Sequence, residues 1–586
     1  MSVRSRLMPA CMTACTSASP RTRTTRRPIW PQRSTRADHN GHRPYQESSA
    51  MRAVRRLGVG IAMLIMVMAM MSRAASADAT AQTVQIDSGR VHGEGHDDVV
   101  VFRGIPFAAP PTGTHRWRPP QPPNAWSGVR DATRFGPECM QKSVNSDAAP
   151  GDGRVSEDCL YLNVWRPARQ TDHDLPVLVW LYGGGYVNGG TSSPIYDGSA
   201  FARDGLVFVS LNYRLGRFGF FAHPALEATQ PGPWGNYALM DQIAGLEWVK
   251  RNIAQFGGDP DQVTIFGESA GGNAVLELAA SPAARGLFQR AAVMSGGGRH
   301  LMGTMHDLRE DRPHNPSAET LGQRFARQHG IDGDNDQRTA QRLRALPAAA
   351  ITGQLNLATL LSADPEHATY AGGPIRDGTI VVAPPEQRYH HGNQQALPLL
   401  IGTTDRDLGL SDADTMTQLF ARFGEDRALA RTLYDPTPDE SVEQVGRRLG
   451  RDRLMTEPAR FIADQMHALG APVWRYRFAH VAEPMRPHWA GALHATDIPY
   501  VFATLATRFD KGLSASDDRT EHLMHDYFVN FARHGDPNGP GLPYWPQHTP
   551  EAQKLMILEQ RDAVAKSDPW RQQLDLIRAT RAPQWQ

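Results

Sequence analysis

The stretch from residue 263 to 280 has the residue types and spacing of a nucleophile site. Val263-Thr264-Ile265-Phe266 is a short apolar run, Gly267-Glu268-Ser269-Ala270-Gly271 follows it, and a helical pattern runs from Ala274 to Ala280. In a G-x-S-x-G placed between strand and helix, a tight turn holds the serine in a strained conformation. The residues two before and two after it approach other backbone too closely for a side chain. The motif alone also occurs in ordinary glycine-rich turns with a capping serine, but here strand, turn and helix are in register, and Ser269 reads as an attacking oxygen.

Attack on an acyl carbon needs N–H donors aimed at the oxygen that becomes negative, and backbone amides supply them without reorganisation. Ala270, directly after the serine, is one candidate. Gly183-Gly184-Gly185, directly after the apolar run Val177 to Tyr182, is a second source, because consecutive glycines let the chain turn its N–H groups inward. Gly183, Gly185 and Gly189 also resemble a dinucleotide fingerprint. Such a site needs an acid at the end of the next strand, and this one ends in Asn212-Tyr213, which argues against a nucleotide cofactor.

A serine hydroxyl also needs a base to take its proton and a carboxylate to orient that base. The chain has 22 histidines, so composition cannot select the base. His390-His391 suggests metal, but adjacent side chains point apart and no third ligand keeps the spacing. No metal or cofactor is expected.

The elements that must position these residues follow from periodicity. Apolar runs at Val177 to Tyr182, Val207 to Leu211, Val263 to Phe266, Ala291 to Met294 and Leu399 to Ile401 alternate with helical patterns. That order implies a mostly parallel sheet covered on both faces. Leu239, Ile243, Leu246, Val249 and Ile253 keep a helical period that Gly257-Gly258 ends. Residues 317 to 361 read as helices opening on Ser317 as N-cap, and are expected to form a cap over the sheet. There is no internal repeat, and after residue 78 no linker or charge run marks a domain boundary. Residues 78 to 586 are therefore expected to be one domain.

Residues 51 to 77 have a basic start (Arg52, Arg55, Arg56), an uncharged run from Leu57 to Met71, and Ala75-Ser76-Ala77. This is the order of an export signal with an A-x-A cleavage site, and the run falls short of the roughly 20 residues that span a bilayer. A secreted or periplasmic protein without a transmembrane anchor after cleavage is expected. Residues 1 to 50, rich in Arg, Ser, Thr and Pro, are expected to be a misassigned upstream reading or a disordered tail, with Met51 as the true start. The remaining body carries 49 Lys and Arg against 59 Asp and Glu, and this acidic balance argues against nucleic acid as a partner. It keeps two cysteines, Cys139 and Cys159. In an exported chain these most simply pair, closing a loop worth roughly 3 kcal/mol, the alternative being two separate thiols.

Many ordered stretches resemble the type-B carboxylesterase/cholinesterase family of α/β-hydrolases. They include FRGIPFAAPP, RWRPPQPP, FGPEC, SEDCLYLNVWRP, LVWLYGGGYVNG, VSLNYRLGRFGF, GNYALMDQ, LEWVKRNIAQFGGDPDQVTIFGESAGG, LFQRAAVMSG, LRALP, GALHATDIPYVF and NFARHGDPN. The resemblance implies an α/β-hydrolase fold and a serine carboxylesterase acting on small-molecule esters. It implies Ser269 as nucleophile, Gly184, Gly185 and Ala270 as oxyanion hole, a Cys139–Cys159 disulfide, and His494, in GALHATDIPYVF, as base. Asp497 in the same segment is expected to brace the loop. The family's acid is a Glu followed by Gly after I-G-T. This chain reads IGTTDRDLGL, which puts Asp407 at the acid position with Leu408 in place of Gly, and a shifted register would select Asp405.

Cholinesterases stack an aromatic residue between the two cysteines on a quaternary ammonium. Residues 140 to 158 contain no Trp, Tyr or Phe, so choline preference is unsupported. The family also contains catalytically inactive adhesion proteins, which usually lose the nucleophile, whereas Ser269 and His494 are present here. A lipase would need an amphipathic lid, and none is identifiable.

Overall fold

The computed structural model describes residues 82–581 apart from 145–147, 170–172, 230–231, 300–304, 334, 361–366, 412 and 437–439. The upstream extension and the export signal read at residues 1–77 lie outside the described residues. Sixteen strands are described: β1 (Thr83–Ile86), β2 (Gly89–His92), β3 (Glu94–His96), β4 (Val99–Pro106), β5 (Val129–Asp131), β6 (Glu138–Cys139), β7 (Val155–Ser156), β8 (Tyr161–Pro167), β9 (Leu175–Leu181), β10 (Val207–Leu211), β11 (Gly258–Glu268), β12 (Arg290–Met294), β13 (Leu399–Thr404), β14 (Val473–Phe478), β15 (Lys554–Leu558) and β16 (Ala563–Ser567). Eleven of them make one sheet in the order β16-β15-β14-β13-β12-β11-β9-β10-β8-β4-β3. From β15 to β10 every neighbouring pair is parallel. Antiparallel pairings add β8, β4 and β3 at one edge and β16 at the other.

The inner strands are continuous apolar runs because both faces of the sheet are covered. Val177 to Leu181, all of β10 and Val263 to Glu268 are buried. Each expected strand is present. β11 is longer than its apolar run, because Gly258 pairs with Leu175 before the register shifts at Val263. The helix Tyr237–Asn252 carries the expected period, but a 3-10 turn, Ile253–Phe256, follows it, and Gly257 alone turns left-handed (φ 87°). Gly258 already belongs to the strand, so only the first of the two glycines ends the helix.

Ser317 caps the helix Ala318–Gln328, its side chain accepting from Thr320 N–H. The helices Gln337–Arg344, Ala348–Thr352 and Leu357–Leu360 follow within the expected cap region. A second helical region was not anticipated from the sequence. Met416–Ala421, Arg427–Tyr434 and Val442–Arg451 pack around Leu419, Phe420, Tyr434, Val445 and Leu449, together with Leu576 and Ile577 from near the C-terminus. Their polar loops hid a small core separate from the main one. Cys139 and Cys159 form a disulfide with Cα atoms 5.0 Å apart. Among the described residues no helix is long and apolar enough to cross a membrane.

Candidate active site

β11 delivers Glu268 to the end of the sheet, and the helix Ala270–Ala280 starts directly after Ser269. Ser269 is left at φ 55°, ψ −123°, a sparsely populated conformation that costs on the order of 1–3 kcal/mol. Two bonds hold it there: Ser269 N–H donates to Met294 O at 2.9 Å, and Asn273 N–H donates to Ser269 O at 2.8 Å. The flanking glycines are a steric requirement. A Cβ on Gly271 would lie 1.9 Å from Leu181 O, and one on Gly267 would lie 2.5 Å from the carbonyl carbon of Gly271. Below the turn, the rings of Trp180, Phe266 and Phe502 pack with centroids 4.8 to 5.7 Å apart. They tie the elbow strand to its neighbour and to the segment that follows His494.

The glycine loop lies against this turn. A Cβ on Gly183 would meet the Glu268 carboxylate at 2.7 Å and Ser269 Cβ at 3.0 Å. Gly184 and Gly185 have φ values of 103° and 62°, which bend the chain back so that Val187 and Asn188 N–H both donate to Gly184 O. The base of the loop is fixed by Tyr182, whose ring stacks on Tyr213 at 4.3 Å and whose carbonyl accepts from the Tyr213 hydroxyl at 2.6 Å. Arg214 then anchors that segment through a buried two-point pair with Asp241. From above, Leu357 and Leu360 of the cap close over Gly185. Ala270 opens its helix, and the first N–H groups of a helix have no intrahelical acceptor. The glycine loop, through Gly183, and Ala270 therefore adjoin Ser269 from two sides.

His494 Nε2 lies 2.9 Å from Ser269 Oγ, and His494 Nδ1 lies 2.6 Å from Asp407 Oδ1. A carboxylate can only accept, so Nδ1–H donates to Asp407 and Nε2 is left to accept the serine proton. The imidazole retains 24% side-chain exposure, whereas Asp407 has none, so the imidazole faces the opening and the carboxylate lies behind it. Asp407 is the better-bonded carboxylate of the two considered. Besides His494 it accepts from Ser295 Oγ at 2.6 Å, Thr404 N–H at 3.0 Å and Leu408 N–H at 2.7 Å. Asp405 does not reach the imidazole. Its Oδ1 accepts from Ala492 N–H at 2.6 Å. Asp497 accepts from the Tyr476 hydroxyl at 2.8 Å and so pins the histidine loop to β14.

The electrostatics agree with this order. Burial works against charge on Asp407, but the His494 imidazolium and the hydrogen bonds prevail and hold its carboxyl below the usual range. Burial likewise opposes the imidazolium, yet the charges of Glu268 and then Asp407 push His494 up to about 9. Asp497 is raised to about 6, chiefly by burial.

Two residues at the site were missed in the sequence. Glu268 Oε1 lies 3.2 Å from His494 Nε2, and Ser295 holds Asp407. Glu268 occupies the variable position of the motif, and Ser295 follows β12 with no spacing cue, so neither carried a local signal. A groove of about 1280 Å³ borders Asp407 and His494 on the side of the helix Val442–Arg451. His390 and His391 are neighbouring rings 5.4 Å apart, and among the described residues no three metal-ligating side chains converge.

The family model described as the carboxylesterase family matches residues 80–576. The chain is 34% identical over 492 residues to the fumonisin B1 esterase of Sphingopyxis macrogoltabida, covering 81% of this chain and 86% of that protein. It is 34% identical over 502 residues to the para-nitrobenzyl esterase of Bacillus subtilis, covering 84% and 97%. Among solved structures, a PNB esterase superposes with a TM-score of 0.72 at 32% identity over 86% of this chain and all of that one. A carboxylesterase of Geobacillus stearothermophilus does so with a TM-score of 0.68 at 34% identity over the same shares. With an α/β-hydrolase fold, the family match over residues 80–576 and esterases among its relatives, the chain belongs to the carboxylesterase family of ester hydrolases.

Proposed function

We propose that the protein is an exported serine carboxylesterase that works through an acyl-enzyme, with Ser269 as nucleophile, His494 as base and Asp407 as the acid that orients it. The observation that carries this reading is the unbroken row from Ser269 Oγ through both nitrogens of His494 to Asp407. His494 Nε2 takes the serine proton as Oγ attacks the ester carbonyl. The oxygen that becomes negative is received by the N–H groups of Gly184, Gly185 and Ala270. As the tetrahedral intermediate collapses, the imidazolium gives its proton to the departing alcohol. Water then repeats the attack on the acyl-enzyme and releases the acid. While His494 is protonated, the Glu268 carboxylate at 3.2 Å stabilises the charge from the serine side. This sequence of steps needs no metal or cofactor.

The substrate class is a small-molecule carboxylic ester, in line with relatives named for para-nitrobenzyl and fumonisin B1 ester hydrolysis. Export is supported by the order of residues 51 to 77 and by the Cys139–Cys159 bridge, since structural disulfides persist in oxidising compartments. The test is turnover of soluble short-chain aryl esters by the full chain and by Ser269→Ala. The variant is expected to stay folded and to lose on the order of 10⁴-fold in kcat. Wild-type turnover by the folded variant would refute the assignment, and a preference for emulsified triglyceride over soluble esters would move the protein to the lipases.

A further inference from the structure

Asp405 and Asp407 lie two residues apart on the segment that leaves β13, and both reach the loop that carries His494. Asp407 meets the imidazole. Asp405 meets the main chain two residues upstream of it, at Ala492 N–H. Between them, Arg406 N–H donates to Ala492 O at 2.9 Å, so Ala492 is gripped on both its donor and its acceptor. We propose that Asp405 is a positioning residue for the ester-cleaving machinery, fixing the His494 loop in register against Asp407. The inference rests on the reading of Ser269, His494 and Asp407 given above.

Three further observations support a device dedicated to this alignment. First, the two loops approach so closely that a Cβ on Gly491 would lie 2.8 and 2.9 Å from the carboxylate oxygens of Asp405 and 2.5 Å from Arg406 Cγ. Gly491 is therefore what admits the carboxylate to Ala492. Second, Asp405 is itself held from behind. Its N–H donates to Phe478 O at 2.8 Å, and its carbonyl accepts from Arg451 Nη1 at 2.7 Å. The Arg451 guanidinium lies 3.6 Å from the centre of the Trp570 ring, which Arg477 approaches at the same distance. Third, the histidine loop has internal strain to resist, since Ala495, directly after His494, has φ 66°. A loop of this kind needs an external clamp if its imidazole is to hold a 2.6 Å bond on one side and a 2.9 Å bond on the other. Asp405 bonds neither Ser269 nor the imidazole but the main chain of Ala492, so its effect must pass through the His494 loop.

The test uses the full chain carrying Asp405→Ala, Asp405→Asn or Gly491→Ala, with active sites counted by stoichiometric phosphonylation so that rates are per competent serine. Asp405→Ala removes the acceptor. It is expected to lower kcat by about tenfold to a hundredfold, the scale of a small misplacement of a catalytic group, while KM changes little. The acid limb of the kcat/KM profile should also move to lower pH, because a displaced Asp407 no longer favours the imidazolium. Asp405→Asn keeps an oxygen that accepts from Ala492 and should lose no more than about threefold, the worth of exchanging a charged for a neutral acceptor. Gly491→Ala should reproduce the Ala variant's lowered kcat and shifted limb with the carboxylate still present, and it decides the matter if Asp405→Ala does not fold. Wild-type kcat per titrated site with an unmoved acid limb, in whichever of the Ala variants folds, would overturn the proposal even if that variant were less stable. Loss of turnover in Ser269→Ala together with such a result would sink the role of Asp405 alone. Turnover retained in Ser269→Ala would sink the site assignment on which it rests.

Discussion

The two halves of the site are built on opposite plans. Ser269 and its flanking glycines occupy five consecutive residues between a strand and a helix, and steric contact at the glycines fixes the turn, with two main-chain hydrogen bonds at Ser269. Gly267 packs on Gly271, and Gly271 packs on the carbonyl of Leu181. Asp407 and His494 are 87 residues apart in sequence and stand on loops; Asp407 is held by hydrogen bonds from Ser295, Thr404 and Leu408, and the His494 loop by the bond from Ala492 N–H to Asp405. The first half leaves no room for a change of shape. The second depends on a bonding pattern, in which Asp407 accepts from His494, Ser295, Thr404 and Leu408.

The largest effect is expected where shape rules. Gly271→Ala would put a methyl group 1.9 Å from a main-chain oxygen, and relief requires the helix Ala270–Ala280 to move off β9. Overpacking of this kind costs about 1–3 kcal/mol or more, and here the displaced helix starts directly after Ser269. The expected outcome is no measurable ester turnover together with a lowered melting temperature. A variant with normal activity and stability would show that the turn is not fixed by steric contact at Gly271.

The next effect is one of bonding alone. Asp407→Asn preserves volume but can present an amide N–H to His494 Nδ1, favouring the wrong tautomer, and should lower kcat by about 10⁴-fold with the fold intact. The pH profile adds a sign. In the wild type, the charges of Glu268 and Asp407 keep the proton on His494, so the neutral base appears only as pH rises above the ordinary imidazole value of about 6.5. Removing the Asp407 charge should move the acid limb of kcat/KM downward, and an upward or absent shift in the residual activity would contradict the pairing. Asp407→Glu should have the smallest effect of this set. Its extra methylene disturbs the four bonds to Asp407 without removing the charge, so turnover should fall but remain well above that of the Asn variant.

The same contrast explains what the sequence revealed. The strand, elbow and helix around Ser269, the glycine loop and the parallel core strands are properties of short windows, where periodicity and glycine spacing report directly on packing. The partners of the serine are not. No local pattern separates His494 from the other histidines, and it was found by resemblance. Between Asp405 and Asp407 the sequence left a choice that depends on which side chain faces a loop some 90 residues further on. Ser295 was invisible because its role depends on β12 lying beside β13, and Glu268 because its neighbour across the site is His494. The small core around Leu419 and Leu449 was missed for a related reason: it is completed by Leu576 and Ile577 from the far end of the chain.

Covalent labelling decides whether Ser269 Oγ is the attacking oxygen. The full chain is treated with a serine-directed fluorophosphonate, and the adduct is located by mass spectrometry of its peptides while ester turnover is followed on the same sample. A single adduct is expected, on Ser269, accumulating in step with the loss of turnover. An adduct on another serine, or complete labelling of Ser269 with turnover unchanged, would contradict it.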